Sequence, residues 1–368
     1  MLLTTVFLRN FAAIGLIMAL LPGCQPATNA PIYSGDSSVP AADDEGQLSN
    51  ELTQIQGHVE IDGSSTVAPI SEAVAEAFGK TFKNVKVTVA ISGTGGGFKR
   101  FTNGEIDICD ASRPMKDSEF KACQTRGVSF VELPIAYDGL SIVVNHANDF
   151  VDQLTIGDLK KIFLREGGAK TWRDINPKWP NLAIKIYAPG TDSGTFDYFF
   201  GDVVAQDSDN EHPRDDMSVS EDDNVLVTGV AGEKGAIGFF GASYYFTNRD
   251  KTRAVPIVDP VTDKAVLPTP DTIKSGAYAP FSRPLFIYVK ADAMKRLEIK
   301  QFLKFYLEHA ATLAEKMDYV ALPSEISDIG RLHYDSRITG THYLTPSLEK
   351  RSGPLGELYK VANAVDIQ

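Results

Sequence analysis

Three short stretches place hydroxyl and glycine residues between an apolar run and a helical pattern: Gly63-Ser-Ser-Thr66, Ser92-Gly-Thr-Gly-Gly-Gly97 and Asp192-Ser-Gly-Thr195. These residue types suit one chemistry, the holding of an oxyanion by neutral donors. The first turn of a helix leaves backbone N–H groups unpaired, and the macrodipole adds about +0.5 charge there. Three such ends aimed at one point would supply roughly +1.5, comparable to the charge of a divalent oxyanion. Ser and Thr hydroxyls add donors, and Gly lets the backbone close on a ligand. Taken singly, each stretch also reads as an ordinary helix cap. Together, and with Arg113 on a fourth turn, they read as a site.

A catalytic reading finds less support. Ser193 lacks the G-x-S-x-G frame of a nucleophile elbow, because Thr191 stands two positions before it. A serine nucleophile also needs a base, and His58, His146, His212, His309, His333 and His342 stand in no motif. Gly93–Gly97 has neither the G-K-S/T ending of a P-loop nor the acidic partner of a dinucleotide fold. The acids over Asp207–Asp223 read as a solvated loop, with weak Ca²⁺ binding as a minor alternative. No enzyme activity, metal or cofactor is expected.

An α/β frame must position these turns. Val59-Glu-Ile61 reads as a strand, and Val67, Ile70, Val74 and Phe78 then repeat at helical spacing. Val85–Ile91 is a second strand, with a helix expected from Phe98 to about Asn103. Ile106–Cys109 is a third, leading through Asp110-Ala-Ser-Arg-Pro114 to a polar helix ending near Arg126. Leu140–Asn145 and Pro284–Val289 are apolar strands. Between them a second α/β unit is expected, with a helix around Ile156–Phe163, a strand Ala183–Tyr187 and the stretch Lys234–Phe240. Ala293–Lys316 reads as a long amphipathic helix carrying Ile299, Phe302, Leu303, Phe305 and Tyr306.

The 368 residues give room for two domains, and 43% hydrophobic with 23% charged residues suits buried cores. A net charge of -12 argues against nucleic acid as a partner. It leaves open a local anion site made from backbone donors. Near the start, Arg9 precedes the apolar stretch Phe11–Leu21, too short to span a membrane. Leu21-Pro-Gly-Cys24 resembles the lipobox of bacterial lipoproteins, in which acyl chains are attached to the cysteine; a plain signal peptide is the alternative. Gln25–Asn50, rich in Ala, Pro, Ser and Asp, reads as a solvated tether. Outside the cytoplasm a pair such as Cys109 and Cys123 usually oxidises. A loop near 15 residues would then contribute about 3 kcal/mol. Two buried free thiols are the alternative.

In this order, Gly63-Ser-Ser-Thr-Val-Ala-Pro69, Ser92–Gly97, Asp107-Ile-Cys-Asp-Ala-Ser-Arg-Pro114 and Asp192-Ser-Gly-Thr195 resemble motifs of the phosphate-binding proteins of bacterial high-affinity phosphate ABC transporters. Ile156–Phe163 with Thr171-Trp-Arg-Asp174, Lys234-Gly-Ala-Ile-Gly238 and Tyr319-Val-Ala-Leu-Pro323 extend the resemblance over roughly residues 55–325. It implies a two-lobed type II periplasmic binding protein fold with the ligand in the cleft between the lobes. The expected organisation is a signal peptide 1–23, a tether 24–54, a first lobe from 55–139 and 286–350, a second lobe 140–285 and a tail 351–368. The strands 140–145 and 284–289 would be the hinge crossovers.

The resemblance also implies inorganic phosphate as ligand and a membrane permease as partner. It implies a monomer, periplasmic or at the cell surface, on a lipidated Cys24. Ser65 and Thr66 would bring hydroxyls and Val67 a backbone N–H. Thr94 takes the place of a family serine, and Ser193, Gly194 and Thr195 form the third donor set. Two positions depart from the family. Pro189 stands where an Arg is frequent, and Ser112 where an Asp often accepts the proton of hydrogen phosphate. Arg113 is the expected bidentate cation, with Asp110 or Asp192 as the acceptor; a plain surface charge beside Pro114 is the alternative for Arg113. A site for sulfate, molybdate or tungstate, a surface phosphatase, and a phosphate sensor are the alternatives.

Overall fold

The computed structural model describes residues 54–191, 193–205, 210–220, 222–317 and 319–367. Cys24, Asp192, the expected leader and nearly all of the expected tether lie outside them. Strands β1 (Gly57–Gly63), β2 (Val85–Ile91), β3 (Ile108–Ala111), β4 (Phe130–Asn145), β5 (Lys185–Ala188), β6 (Ser218–Val219), β7 (Ala236–Gly241), β8 (Thr252–Ala254) and β9 (Ser282–Lys290) form one mixed sheet. Its order is β2-β1-β3-β9-β4-β7-β5-β6, with β8 also beside β4. β1 is parallel to β2 and β3, and β5 to β6 and β7. β9 and β4 run antiparallel to their neighbours. The main helices are α1 (Ala68–Thr81), α2 (Gly93–Thr102), α3 (Asp117–Arg126), α4 (Ile156–Phe163), α5 (Asp223–Gly232), α6 (Leu297–Lys316) and α7 (Ser324–Ser336). Among the described residues no helix is long and apolar enough to cross a membrane.

The apolar spacing read from the sequence explains α1. Val67, Ile70, Val74 and Phe78 are all fully buried, and Phe78 meets Phe302 of α6 edge-on at 5.3 Å. Each such side chain contributes about 1.5–3 kcal/mol on burial. Ile299, Leu303 and Tyr306 of α6 complete that core.

β4 decides the architecture. All sixteen of its residues are buried. Phe130–Gly139 pair with β9, whereas Leu140–Val144 pair with β7. One strand thus runs from one half of the sheet into the other and changes partner at Gly139. The expected strand 140–145 is its second half, and 284–289 pairs with β3 and with 131–137 of β4. The sequence hid this continuity because Asp138 and Gly139 break the apolar pattern. Asp138 is tolerated inside the sheet because Arg283 faces it.

Other boundaries also move. α2 starts at Gly93, so the expected glycine turn is the helix's first turns; packing overrides the weak helix preference of Gly. After Ser193 the chain forms a helix, Gly194–Asp197, that widens into a π-helical stretch, Tyr198–Val204. That stretch buries Tyr198, Phe199 and Phe200; such widening is frequent at functional sites. The expected tail packs onto the molecule, with Leu355, Leu358 and Tyr359 buried. Cys109 and Cys123 are free thiols, correcting the expected disulfide. Both lie in one apolar core, where burial pushes the Cys109 thiol well up and that of Cys123 to about 12. Disulfide chemistry needs a thiolate, which that environment disfavours.

Candidate functional site

Because β1, β2 and β3 are parallel, their carboxyl ends lie along one edge, where open α/β sheets take their ligands. The loops leaving those ends converge on a cleft of about 220 Å³. Ser64, Ser65 and Thr66 line it from the end of β1, Gly93 and Thr94 from the start of α2, and Ser112 and Arg113 from the end of β3. Asp197, Gly201 and Asp202 line it from the π-helical region, and Arg283 from the start of β9. The volume lies below the ~300–1,000 Å³ that takes drug-sized ligands, so a small ion fits better.

The first loop is held tightly. Gly63 has φ +149°, and a Cβ there would fall 2.1 Å from the Asp110 carbonyl oxygen, so glycine is required. Ser64 donates its N–H to that carbonyl at 3.0 Å and accepts the Thr66 N–H on its hydroxyl at 3.2 Å. The Val67 N–H, expected to face a ligand, donates instead to the Ser64 carbonyl at 3.1 Å, and the Val67 side chain is buried. The loop therefore offers the hydroxyls of Ser64, Ser65 and Thr66 to the cleft. Beside it, α2 begins at the cleft with Gly93 and Thr94, bringing the positive end of its dipole. The Thr94 hydroxyl accepts the Ser112 N–H at 3.2 Å and shares a 3.1 Å bond with the Ser112 hydroxyl.

Among the described residues two arginines reach the cleft. The bidentate face of Arg113, expected to meet the ligand, grips Glu119 at 2.9 and 2.8 Å, and Nη1 also donates to the Pro114 carbonyl at 3.1 Å. A guanidinium has five N–H donors, so two remain. Arg283 is the cation that the sequence reading missed. Its side chain is 11% exposed, and Nε donates to Asp138 at 3.2 Å. Nη1 donates to Asp202 at 2.5 Å and Nη2 to the Thr66 hydroxyl at 3.2 Å. The guanidinium also lies 3.6 Å from the Tyr198 ring centre, which supports it from below. Burial pushes the Asp138 carboxyl up, and Arg283 counters that rise. A signal existed in the sequence: Asp138 stands two residues before one strand read as a crossover, and Arg283 one residue before the other.

Asp110 does not reach the cleft. It is fully buried behind Gly63, with Oδ1 accepting the Ser71 hydroxyl at 3.0 Å. Burial pushes its carboxyl up to about 8, with nearby Asp62 and Glu72 adding to the rise. It is thus a largely neutral core acid at pH 7 and no acceptor for a ligand. Asp192 lies outside the described residues. Among the described residues, the carboxylates that line the cleft are Asp197 and Asp202.

The third donor set is also displaced. The Ser193 hydroxyl accepts the Thr195 N–H at 3.2 Å as a helix cap, and none of Ser193, Gly194 and Thr195 lines the cleft. Gly194 instead lies against the first loop, where a Cβ would fall 2.5 Å from Thr66 Oγ1. Its role is close approach, which sets Asp197, Gly201 and Asp202 over the cleft. Hydroxyls, a helix start, two partly engaged guanidiniums and two carboxylates together suit a small oxyanion that carries a proton.

Comparison with known proteins shows the family. Residues 48–309 match the family model described as a PBP superfamily domain. The chain is 47% identical over 292 residues to Protein SphX of Synechococcus elongatus, covering 79% of this chain and 85% of that protein. It is 42% identical over 273 residues to the phosphate-binding protein PstS of Staphylococcus saprophyticus, covering 73% and 82%. Among solved structures it is similar to a possible phosphate binding protein from Planctomyces limnophilus, with TM-score 0.73 and 42% identity over 77% of this chain and 99% of that one. An ABC-type phosphate transport receptor from Vibrio cholerae superposes with TM-score 0.56 at 25% identity, over 72% and 100%.

Proposed function

The chain belongs to the PBP superfamily, and from that premise we propose that it binds inorganic phosphate and delivers it to the membrane permease of an ABC transporter. The observation that carries this is the cleft where the hydroxyls of Ser64, Ser65, Thr66, Thr94 and Ser112 meet Arg283. The names of the PstS relative and of the Vibrio cholerae receptor support the ligand and the transport role.

In this reading Arg283 supplies the charge that a family arginine would bring at Pro189, through its two remaining N–H donors. Asp202 takes the role of proton acceptor. On closure hydrogen phosphate offers the free oxygen of Asp202 a hydroxyl, whereas sulfate offers none and sets its charge against the carboxylate, a difference of about 1–3 kcal/mol. Ligand binding draws the π-helical region and the β1 loop together as a hinge closure. The protein binds without turning its ligand over, outside the cytoplasm and as a monomer. Attachment to the membrane is by acyl chains on Cys24, a reading that rests on Leu21-Pro-Gly-Cys24.

Isothermal titration against phosphate, sulfate, arsenate and molybdate tests the central claim. Phosphate heat with little or none from sulfate is expected; no heat with phosphate overturns it. A chromogenic phosphate ester tests turnover, and the membrane fraction of a Cys24→Ser variant tests the anchor.

A further inference from the structure

We propose that Tyr288 is a positioning residue for the anion cleft, tied through Glu132 to the C-terminal segment 340–359. The proposal rests on the phosphate-binding reading above.

The segment lies beyond residues 48–309 matched by the family model, yet it is joined to β4 at one spot. Gly340 donates its N–H to the Phe130 carbonyl at 2.8 Å. The Thr341 hydroxyl donates to Glu132 Oε2 at 2.7 Å, and His342 meets Oε1 with its N–H at 3.0 Å and Nδ1 at 2.9 Å. Tyr359 donates its hydroxyl to the Glu132 carbonyl at 2.6 Å. Glu132 itself is wholly buried in the middle of β4. Its fourth carboxylate contact comes from β9, where the Tyr288 hydroxyl donates to Oε2 at 2.8 Å.

The direction of these bonds follows from the donor inventory. The Tyr288 hydroxyl spends its one proton on Glu132 Oε2, and the backbone N–H and ring Nδ1 of His342 face Oε1. The Tyr288 oxygen is then free to accept, and it takes the Met115 N–H at 2.9 Å. Met115 stands two residues after Arg113, which lines the cleft. The Tyr288 ring also supports Phe98 edge-on at 4.9 Å, and the Arg113 guanidinium lies 5.5 Å from the Phe98 ring centre. One side chain therefore holds both the loop carrying Ser112 and Arg113 and the surface under that arginine.

A buried carboxylate is tolerated when every partner is in place, and such a network fixes geometry more than it adds stability. Here the geometry it fixes is that of the cleft wall. Binding is tighter when the donors are ordered before the ligand arrives. The C-terminal segment thereby acts on a cleft it does not line.

The test is titration of the full chain with inorganic phosphate. Tyr288→Phe keeps the ring on Phe98 but leaves the buried Met115 N–H without its acceptor, and is expected to weaken the Kd about tenfold. Glu132→Gln, which keeps the shape, is expected to weaken it in the same direction and serves if the first variant folds poorly. Tyr334→Phe loses a comparable hydroxyl bond, to the Lys300 carbonyl at 3.0 Å, away from the cleft. Its Kd is expected to stay within about twofold, the scatter usual for an uncoupled site. Combined with Arg113→Lys, Tyr288→Phe is expected to cost less than the product of the two single effects. Unchanged affinity in both Tyr288→Phe and Glu132→Gln overturns the positioning role, as does a purely multiplicative double variant. Absence of phosphate binding in the unsubstituted protein overturns the phosphate reading, and this proposal with it.

Discussion

Arg283 and Asp138 are register partners across β9 and β4, and their side chains meet at 3.2 Å with only 11% and 7% of each exposed. The pair sits where β4 passes from β9 to β7. From that position the same guanidinium reaches Thr66 on one side and Asp202 on the other. The cation of the cleft is therefore anchored in the strands that join the two halves of the sheet, and its position reports their relative placement.

Removing that cation affects binding and stability by different routes. Arg283→Met is expected to lower stability by about 3 kcal/mol, because Asp138 is left buried and uncompensated. Losing two charge-assisted donors is expected to weaken phosphate binding about a hundredfold. Adding Asp138→Asn restores much of the melting temperature but none of the affinity. Thermal melts and titrations on the single and double variants check both.

Asp202→Asn separates affinity from selectivity. The amide presents a donor as well as an acceptor, so the hydroxyl of hydrogen phosphate no longer has a unique advantage. The ratio of sulfate to phosphate dissociation constants is expected to fall about tenfold or more, read from parallel titrations. Asp202 is about half exposed, so the melting temperature is expected to change little.

Gly194→Ala puts a methyl where the first loop already stands, 2.5 Å from Thr66 Oγ1. Relieving that overlap forces the π-helical region away from the β1 loop, at about 1–3 kcal/mol. The expected result is roughly ten- to a hundredfold weaker phosphate binding. Small-angle scattering is expected to show a smaller ligand-induced decrease in radius of gyration. Unchanged affinity would remove the role given to this contact.

Asp110 predicts a pH dependence with a definite sign. Its folded carboxyl titrates at about 8, far above the ordinary carboxylate range. Between about pH 4 and pH 8 the folded state therefore binds more protons than the unfolded state, and stability falls as pH rises. The slope from this group is at most about 1.4 kcal/mol per pH unit. Its stabilisation is fully present below pH 4 and is lost as pH passes 8. Asp110→Asn can still accept the Ser71 hydroxyl and removes this component, flattening the profile. Melting temperatures measured from pH 4 to pH 9 for both proteins check it.

Much of the frame was legible because it rests on local periodicity. The spacing of Val67, Ile70, Val74 and Phe78 gave α1 its buried face, and Ile156–Phe163 is a helix with the bounds read from its pattern. Boundaries went astray where packing outweighed propensity, as at Gly93–Gly97, and where an ion pair hid a continuous strand, as at Asp138.

By itself the sequence determined the α/β class, the ordered loops that carry Ser and Thr, and the oxyanion chemistry those residues suit, since these follow from residue type and short-range spacing. Only the tertiary structure decided which of those groups face the cleft. Val67 turned its N–H into its own loop, Asp110 went into the core, and Glu119 took the face of Arg113 expected for the ligand. Arg283 entered from 217 positions beyond Thr66. Such outcomes depend on competition between partners distant in the chain, where burial and the nearest opposite charge decide, and neither can be read from neighbours in sequence.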